Sequence, residues 1–195
     1  MKALLTILFM LFACLRTSDK TKSTSRWVMS ENSILTVNGT TNINRFSCAM
    51  LRYPKSDTVL ISKDKTDHIM LSGTLNLKVK NFECSSSMMT KQLLNTLQEN
   101  QFPLLHIRFL SLKEIPATGP NRFVKGDVEI TISGVLKKFE ICYQINARQG
   151  AMELVGQQKL KFSDFNLIPP KKMGRLIQAK DQLVVVFFLK MEQIE

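Results

Sequence analysis

The stretch LSGTLNLKVK constrains this chain more than any other. Leu71, Gly73, Leu75, Leu77 and Val79 alternate with Ser72, Thr74, Asn76, Lys78 and Lys80. A period of two sets one group against a core and the other in water, which is the pattern of a half-buried strand. It returns in VKGDVEITISG, with Val124, Gly126, Val128, Ile130 and Ile132 inward, and in FEICYQI, with Phe139, Ile141, Tyr143 and Ile145 inward. Further strands are expected at 33–38, 41–50, 58–63, 105–114, 151–162 and 182–192, with turn signals at VNGT, YPKSD, PATGPN and NARQG. About eight or nine antiparallel strands with short connections are best closed into a barrel or sandwich, because closure removes exposed edges. LVVVFFLKM departs from the alternation: Val184, Val186 and Phe188 are as apolar as Val185, Phe187 and Leu189, so this strand is expected to be covered on both faces.

One segment breaks the rule. In SSSMMTKQLLNTLQ, Met89, Leu93 and Leu97 fall at i, i+4 and i+8, one apolar stripe of a helix. Gln98 to Asn100 end it before Pro103. Its expected role is a lid over sheet or barrel residues.

The first residues read as an address. MKALLTILFMLFAC has one Lys followed by an apolar run from Ala3 to Ala13, a length that suits a secretory leader, whereas a spanning helix needs about 20 apolar residues. We therefore expect a signal peptide at 1–13. LFAC is similar to a bacterial lipoprotein cleavage box with Cys14 as the lipidated residue; cleavage elsewhere in CLRTSDKTKSTS is the alternative. Residues 14–26, rich in Ser, Thr and Lys, read as a flexible tether, and 27–195 as one domain. The expected location is extracytoplasmic, in the periplasm or at the outer membrane, held by a lipid anchor.

Little in the chain suggests catalysis. The two histidines, His68 and His106, have no metal-type spacing to cysteines or carboxylates, and His106 is expected on a wet strand face. There is no G-x-S-x-G elbow and no glycine-rich phosphate loop. We expect no enzyme, no cofactor and no metal. The net charge of +11 comes from scattered residues that suit solvated faces, and export argues against nucleic acid as a partner. With Cys14 set aside, Cys48, Cys84 and Cys142 allow one bridge with one thiol left over. Cys48 with Cys84 is the expected pair, since each ends a candidate strand after a similarly placed Phe. In a plain meander a third strand would lie between them, so the bridge requires a bend or barrel curvature.

The succession GTTNINRF, SGTLNLKVKNFEC, the Met-rich helix, FPLLHIRF, VKGDVEITISGVLKKFEI and FSDFNLIPPKKMG resembles the YceI-like family of bacterial envelope proteins, over roughly Val28 to Met191. The resemblance implies an all-β fold, an antiparallel lipocalin-like barrel of about eight strands with one helix inserted between strands. It further implies an apolar interior that holds the chain of a polyisoprenoid or similar lipid, as carrier, store or sensor. On that basis Leu75, Leu77, Val128, Ile130, Ile141, Tyr143, Phe187 and Leu189 are expected to line the ligand, with Tyr143 offering its hydroxyl to a head group. Leu136 and Asn166 depart from the family pattern, which often has a hydroxyl residue and a glycine there. The competing reading is a barrel filled by its own side chains, acting as a structural or stress-related interaction protein. Family members can pair, so a homodimer is among the expected arrangements.

Overall fold

The computed structural model describes residues 24–53, 56–64, 66, 68–114, 119–172 and 176–194. The expected leader, Cys14 and the tether up to residue 23 lie outside the described residues. The alternating segments form β1 (Thr24–Met29), β2 (Ile34–Thr41), β3 (Arg45–Met50), β4 (Thr58–Lys63), β5 (Ile69–Lys78) and β6 (Glu83–Cys84). Helix α1 (Ser87–Thr96) comes next, followed by β7 (Leu104–Leu112), β8 (Gly119–Ile132), β9 (Val135–Arg148), β10 (Ala151–Lys161), β11 (Lys171–Lys172) and β12 (Ile177–Ile194). Short 3-10 turns occupy Val79–Asn81 and Ser163–Phe165.

Strands β1, β4, β5, β7, β8, β9, β10 and β12 pair in that order, all antiparallel, and β12 pairs back onto β1 to close an eight-stranded barrel. The length of β12 lets it serve two neighbours on one side. Its last residues, Met191–Ile194, pair with β1, while Ala179–Phe188 pair with β2. The barrel therefore has two tiers: β1 and β4 complete the lower one, and β2, β3, β6 and α1 complete the upper one. Ser133 and Gly134, both at positive φ (48° and 78°), make the tight β8–β9 hairpin turn and mark the upper end.

Inward residues follow the alternation. Leu71, Leu75, Leu77, Val124, Val128, Ile130, Ile141, Tyr143 and Ile145 are all buried in one continuous core. Outward residues carry the charges, and across β7, β8 and β9 they pair as Arg108 with Glu129, Lys138 with Asp127 (3.2 Å) and Lys125 with Glu140 (2.8 Å). Exposed pairs of this kind contribute little stability, but they place three of the basic side chains on a solvated face. His106 is outward as expected, with Nδ1 2.8 Å from Asn76 Oδ1 across the β5–β7 pair.

Four expectations need correction. Residues 24–26, read as tether, are the start of β1, because their backbone pairs with Ser62, Ile61 and Leu60 of β4. VNGT is not a turn: Asn38 and Gly39 are mid-strand, and the chain reverses at 41–44, where the Thr41 hydroxyl accepts from the backbone N–H groups of Ile43 and Asn44. Gly39 has a different use there, since a Cβ would sit 2.2 Å from the Phe46 ring that lies over it. Val184, Val186 and Phe188 are half-buried, not covered by a second layer. Their shielding comes from cross-strand neighbours such as Lys159 and Asn38 beside Val184. Finally, the helical stripe includes Leu94 beside Leu93 and Leu97 against the core, while Met89 lies at the rim.

Candidate functional site

The site is the upper half of the barrel interior. From the lower end upward, Met152 and Leu154 of β10, Val124 of β8 and Ile145 of β9 form a packed layer, with Ile145 at 0% exposure. Above them Tyr143, Phe187 and Gly156 meet. The Phe187 ring occupies the space over Gly156, where a Cβ would lie 2.3 Å from its Cζ, and its centroid is 5.5 Å from that of Tyr143 in an edge-on contact. Burial pushes the Tyr143 phenol up from its ordinary pKa, with the charge of Asp127 adding to the effect, so this tyrosine stays neutral.

Three cavities rise from that layer toward α1. The lowest, about 30 Å³, touches Tyr143, Phe187, Leu75, Ile141 and Leu189. The middle one, about 70 Å³, is bounded by Leu97, Leu105, Phe165 and Leu183 among others, and shares Leu35, Ile107, Ile130 and Val185 with the lowest. The upper one, about 120 Å³, is reached between α1, the β2–β3 turn and Pro170, and shares Leu93 and Phe162 with the middle one. The shared walls make one apolar path interrupted at two constrictions. At its mouth the lining turns partly polar, with Thr41, Asn44, Gln92 and Thr96.

The lid over this path is capped at its start and tied to the barrel by Gln92, by the Leu97 carbonyl, which accepts from Ser133 Oγ at 2.8 Å, and by a disulfide. Ser86 caps α1, accepting from the Met89 N–H at 3.3 Å, and Gln92 Nε2 donates to the Lys171 carbonyl at 3.2 Å. Cys48 and Cys84 form the expected disulfide, at directly opposed positions of β3 and β6. No third strand intervenes, because β4 and β5 run on the far side of β1. Cys48 lines the upper cavity, and the Cys84 N–H donates to Thr90 Oγ1 at 3.0 Å, so the bridge ties the first turn of α1 to the barrel wall. Cys142 is a free, exposed thiol on the outer face of β9, because in a strand it points opposite to the buried Ile141 and Tyr143.

Of the expected lining residues, Leu75, Ile130, Ile141, Tyr143, Phe187 and Leu189 do border these cavities. Leu77 and Val128 are buried in the core but border none of the three. Tyr143 lies at the bottom, remote from the mouth where a head group would sit, because its strand register sets it opposite Val124 of β8 and Gly156 of β10. The residues that reading missed are those around the middle cavity, above all Phe162, Phe165 and Leu167. KFSDFNL folds as a 3-10 turn, whose spacing matches neither a strand nor an α-helix. The signal was present in the family departure at Asn166, which has φ 56°, a left-handed conformation that glycine or asparagine adopts most readily. Among the described residues, no group of three His, Cys, Asp or Glu side chains is placed to hold a metal ion.

An eight-stranded antiparallel barrel with a single helix at one end over an apolar path is a lipocalin-like fold. Its fold is that of the YceI-like proteins. BcnA of Burkholderia cenocepacia superposes with a TM-score of 0.61 at 15% identity, over 81% of this chain and 95% of that one. A polyisoprenoid-binding domain of Saccharophagus degradans, implicated in plant cell wall breakdown, gives 0.59 at 8% identity over 85% and 97%. The Campylobacter jejuni YceI protein gives 0.52 at 17% over 72% and 83%. No family model matches the sequence, and no curated protein matches it either, so the likeness is one of fold.

Proposed function

We propose that this protein binds the apolar chain of a polyisoprenoid-like lipid inside its barrel, outside the cytoplasm, as a carrier, store or sensor. The observation that carries the reading is the path of three cavities from the α1 mouth down to Tyr143 and Phe187. The polyisoprenoid-binding domain of Saccharophagus degradans shares the fold and supports it. Affinity would come from apolar surface removed from water, about 25 cal/mol per Å², less the cost of ordering a flexible chain. The lipid is a ligand, and no cofactor or reactive group enters the account. Its head group would meet the polar rim of Thr41, Asn44, Gln92 and Thr96.

The size of the cavities favours a second reading. None reaches the ~150 Å³ that admits a single benzene, so without movement of side chains the barrel is filled by its own residues and would serve as a non-catalytic structural or interaction protein. The two readings differ in whether Leu93 and Phe162 give way. The deciding experiment is mass spectrometry of the organic extract of the protein purified from its native envelope without detergent exchange. A stoichiometric apolar lipid is the expected result; an empty extract after repeated gentle release favours the filled barrel.

A disulfide fits an oxidising compartment, and with the leader-like N-terminus it supports an envelope location. If Cys14 carries a lipid, Cys14→Ala moves the protein from the membrane to the soluble fraction while its thermal unfolding is unchanged. Unaltered partitioning would remove the anchor from the account.

A further inference from the structure

We propose that Phe187, backed by Tyr143, is the floor of the lipid channel and sets the longest chain that the barrel accepts. The proposal rests on the lipid-binding reading and adds to it a limit on ligand length. Three observations carry it. The Phe187 ring is seated where Gly156 has no side chain, with its Cζ 2.3 Å from the position of a Cβ. Tyr143 holds the ring from the side at 5.5 Å, and is itself seated against Gly126, whose Cβ would lie 3.0 Å from Tyr143 Cε2. Two large rings thus occupy the space left by two inward glycines. The cavities also shrink toward this pair, from about 120 to 70 to 30 Å³.

The entrance to the path and its floor differ in kind. Leu93 belongs to α1, a helix with no fully buried residue, and Phe162 leads into a three-residue 3-10 turn, so both sit on elements that can shift without breaking a sheet. Phe187 and Tyr143 project from the middle of β12 and β9, where strand pairing continues on both sides. The open space beside the rings, the lowest cavity of about 30 Å³, is smaller than either ring, and Leu154 and Ile145 on the neighbouring stretches of β10 and β9 are buried. A chain entering at the mouth therefore passes Leu93 and Phe162, then the aliphatic side chains of Leu35, Ile107, Ile130 and Val185 between the middle and lowest cavities, which turn aside by changing rotamer, and stops at Phe187. The chemical class selected is a short or medium isoprenoid chain. A longer one would leave its remainder at the mouth.

The test is a length series of linear isoprenoid alcohols, namely geraniol, farnesol, geranylgeraniol and solanesol, titrated by native mass spectrometry against the wild type, Phe187→Ala and Phe187→Leu. For the wild type, affinity is expected to rise with length and level off before solanesol. Phe187→Ala is expected to level off at a longer alcohol and to bind that alcohol about tenfold more tightly than the wild type, with Phe187→Leu between them. Levelling at the same alcohol in all three proteins, or wild-type affinity that climbs through solanesol, would overturn the floor while leaving lipid binding intact. Absence of binding by every alcohol to every protein would overturn both. Should Phe187→Ala lose its folded near-ultraviolet signature, Phe187→Leu carries the comparison.

Discussion

Replacing Cys48 and Cys84 together by alanine is expected to lower the free energy of unfolding by roughly 4 kcal/mol, the loop-entropy value for a bridge that spans 36 residues. The loss should not be spread evenly. The strand β6 has only two residues, and α1, ten residues long with none fully buried, is shorter than the ~12–15 residues an isolated helix needs to be even marginally stable in water. Its order depends on Leu93, Leu94 and Leu97 against the core, on Gln92, and on the bridge at its first turn. Hydrogen exchange should therefore accelerate across 83–97 far more than in the β8–β9 hairpin, whose pairing runs along nearly the whole of both strands. Denaturant titration measures the total and exchange its location. A variant with the wild-type midpoint and unchanged protection of α1 would show that the lid is held by packing alone.

Gly126→Ala is expected to cost about 1–3 kcal/mol, although the substitution should by itself stabilise by ~0.4–1 kcal/mol through the unfolded chain. The added methyl would meet the Ser111 carbonyl oxygen at 2.7 Å, Leu112 Cδ2 at 2.8 Å and Tyr143 Cε2 at 3.0 Å. A side chain can rotate away, but the Ser111 carbonyl belongs to β7, and that strand slips register between Phe109 and Ser111 to bring it so close. Tyr143→Leu added to Gly126→Ala should consequently recover only part of the loss. A thermal midpoint at or above that of the wild type would mean that β7 can move outward without penalty, and the close approach would lose its meaning for the packing of the floor.

Much of the barrel was legible because period two is a local signal. Leu71 to Val79, Val124 to Ile132 and Phe139 to Ile145 all face inward as their alternation required. The Cys48–Cys84 bridge was also within reach, since a pair of strand-end cysteines invites it. What was not legible were facts that depend on neighbours. Asn38 and Gly39 have turn composition, yet a Phe46 ring over Gly39 makes that glycine a packing position within a strand. Thr24 to Arg26 look like linker, but β4 and β12 give their backbone a partner. Val184, Val186 and Phe188 look doubly buried, and polar neighbours shield them only in part.

The sequence by itself determined the class of fold: alternation decided which side chains face the core, and one helical stripe marked the lid. Only the tertiary structure decided where the interior is filled and where it is open. Cavity size depends on strand register, on which glycine lies opposite which ring, and on a 3-10 turn that aims Phe162 and Phe165 into the path. Those are contacts between residues far apart in the chain, and no local period records them. The inward set containing Leu75, Ile130 and Phe187 could be read from the chain; that Phe187 rests on Gly156 beside Tyr143, and so closes the path, follows from the registers of β9, β10 and β12.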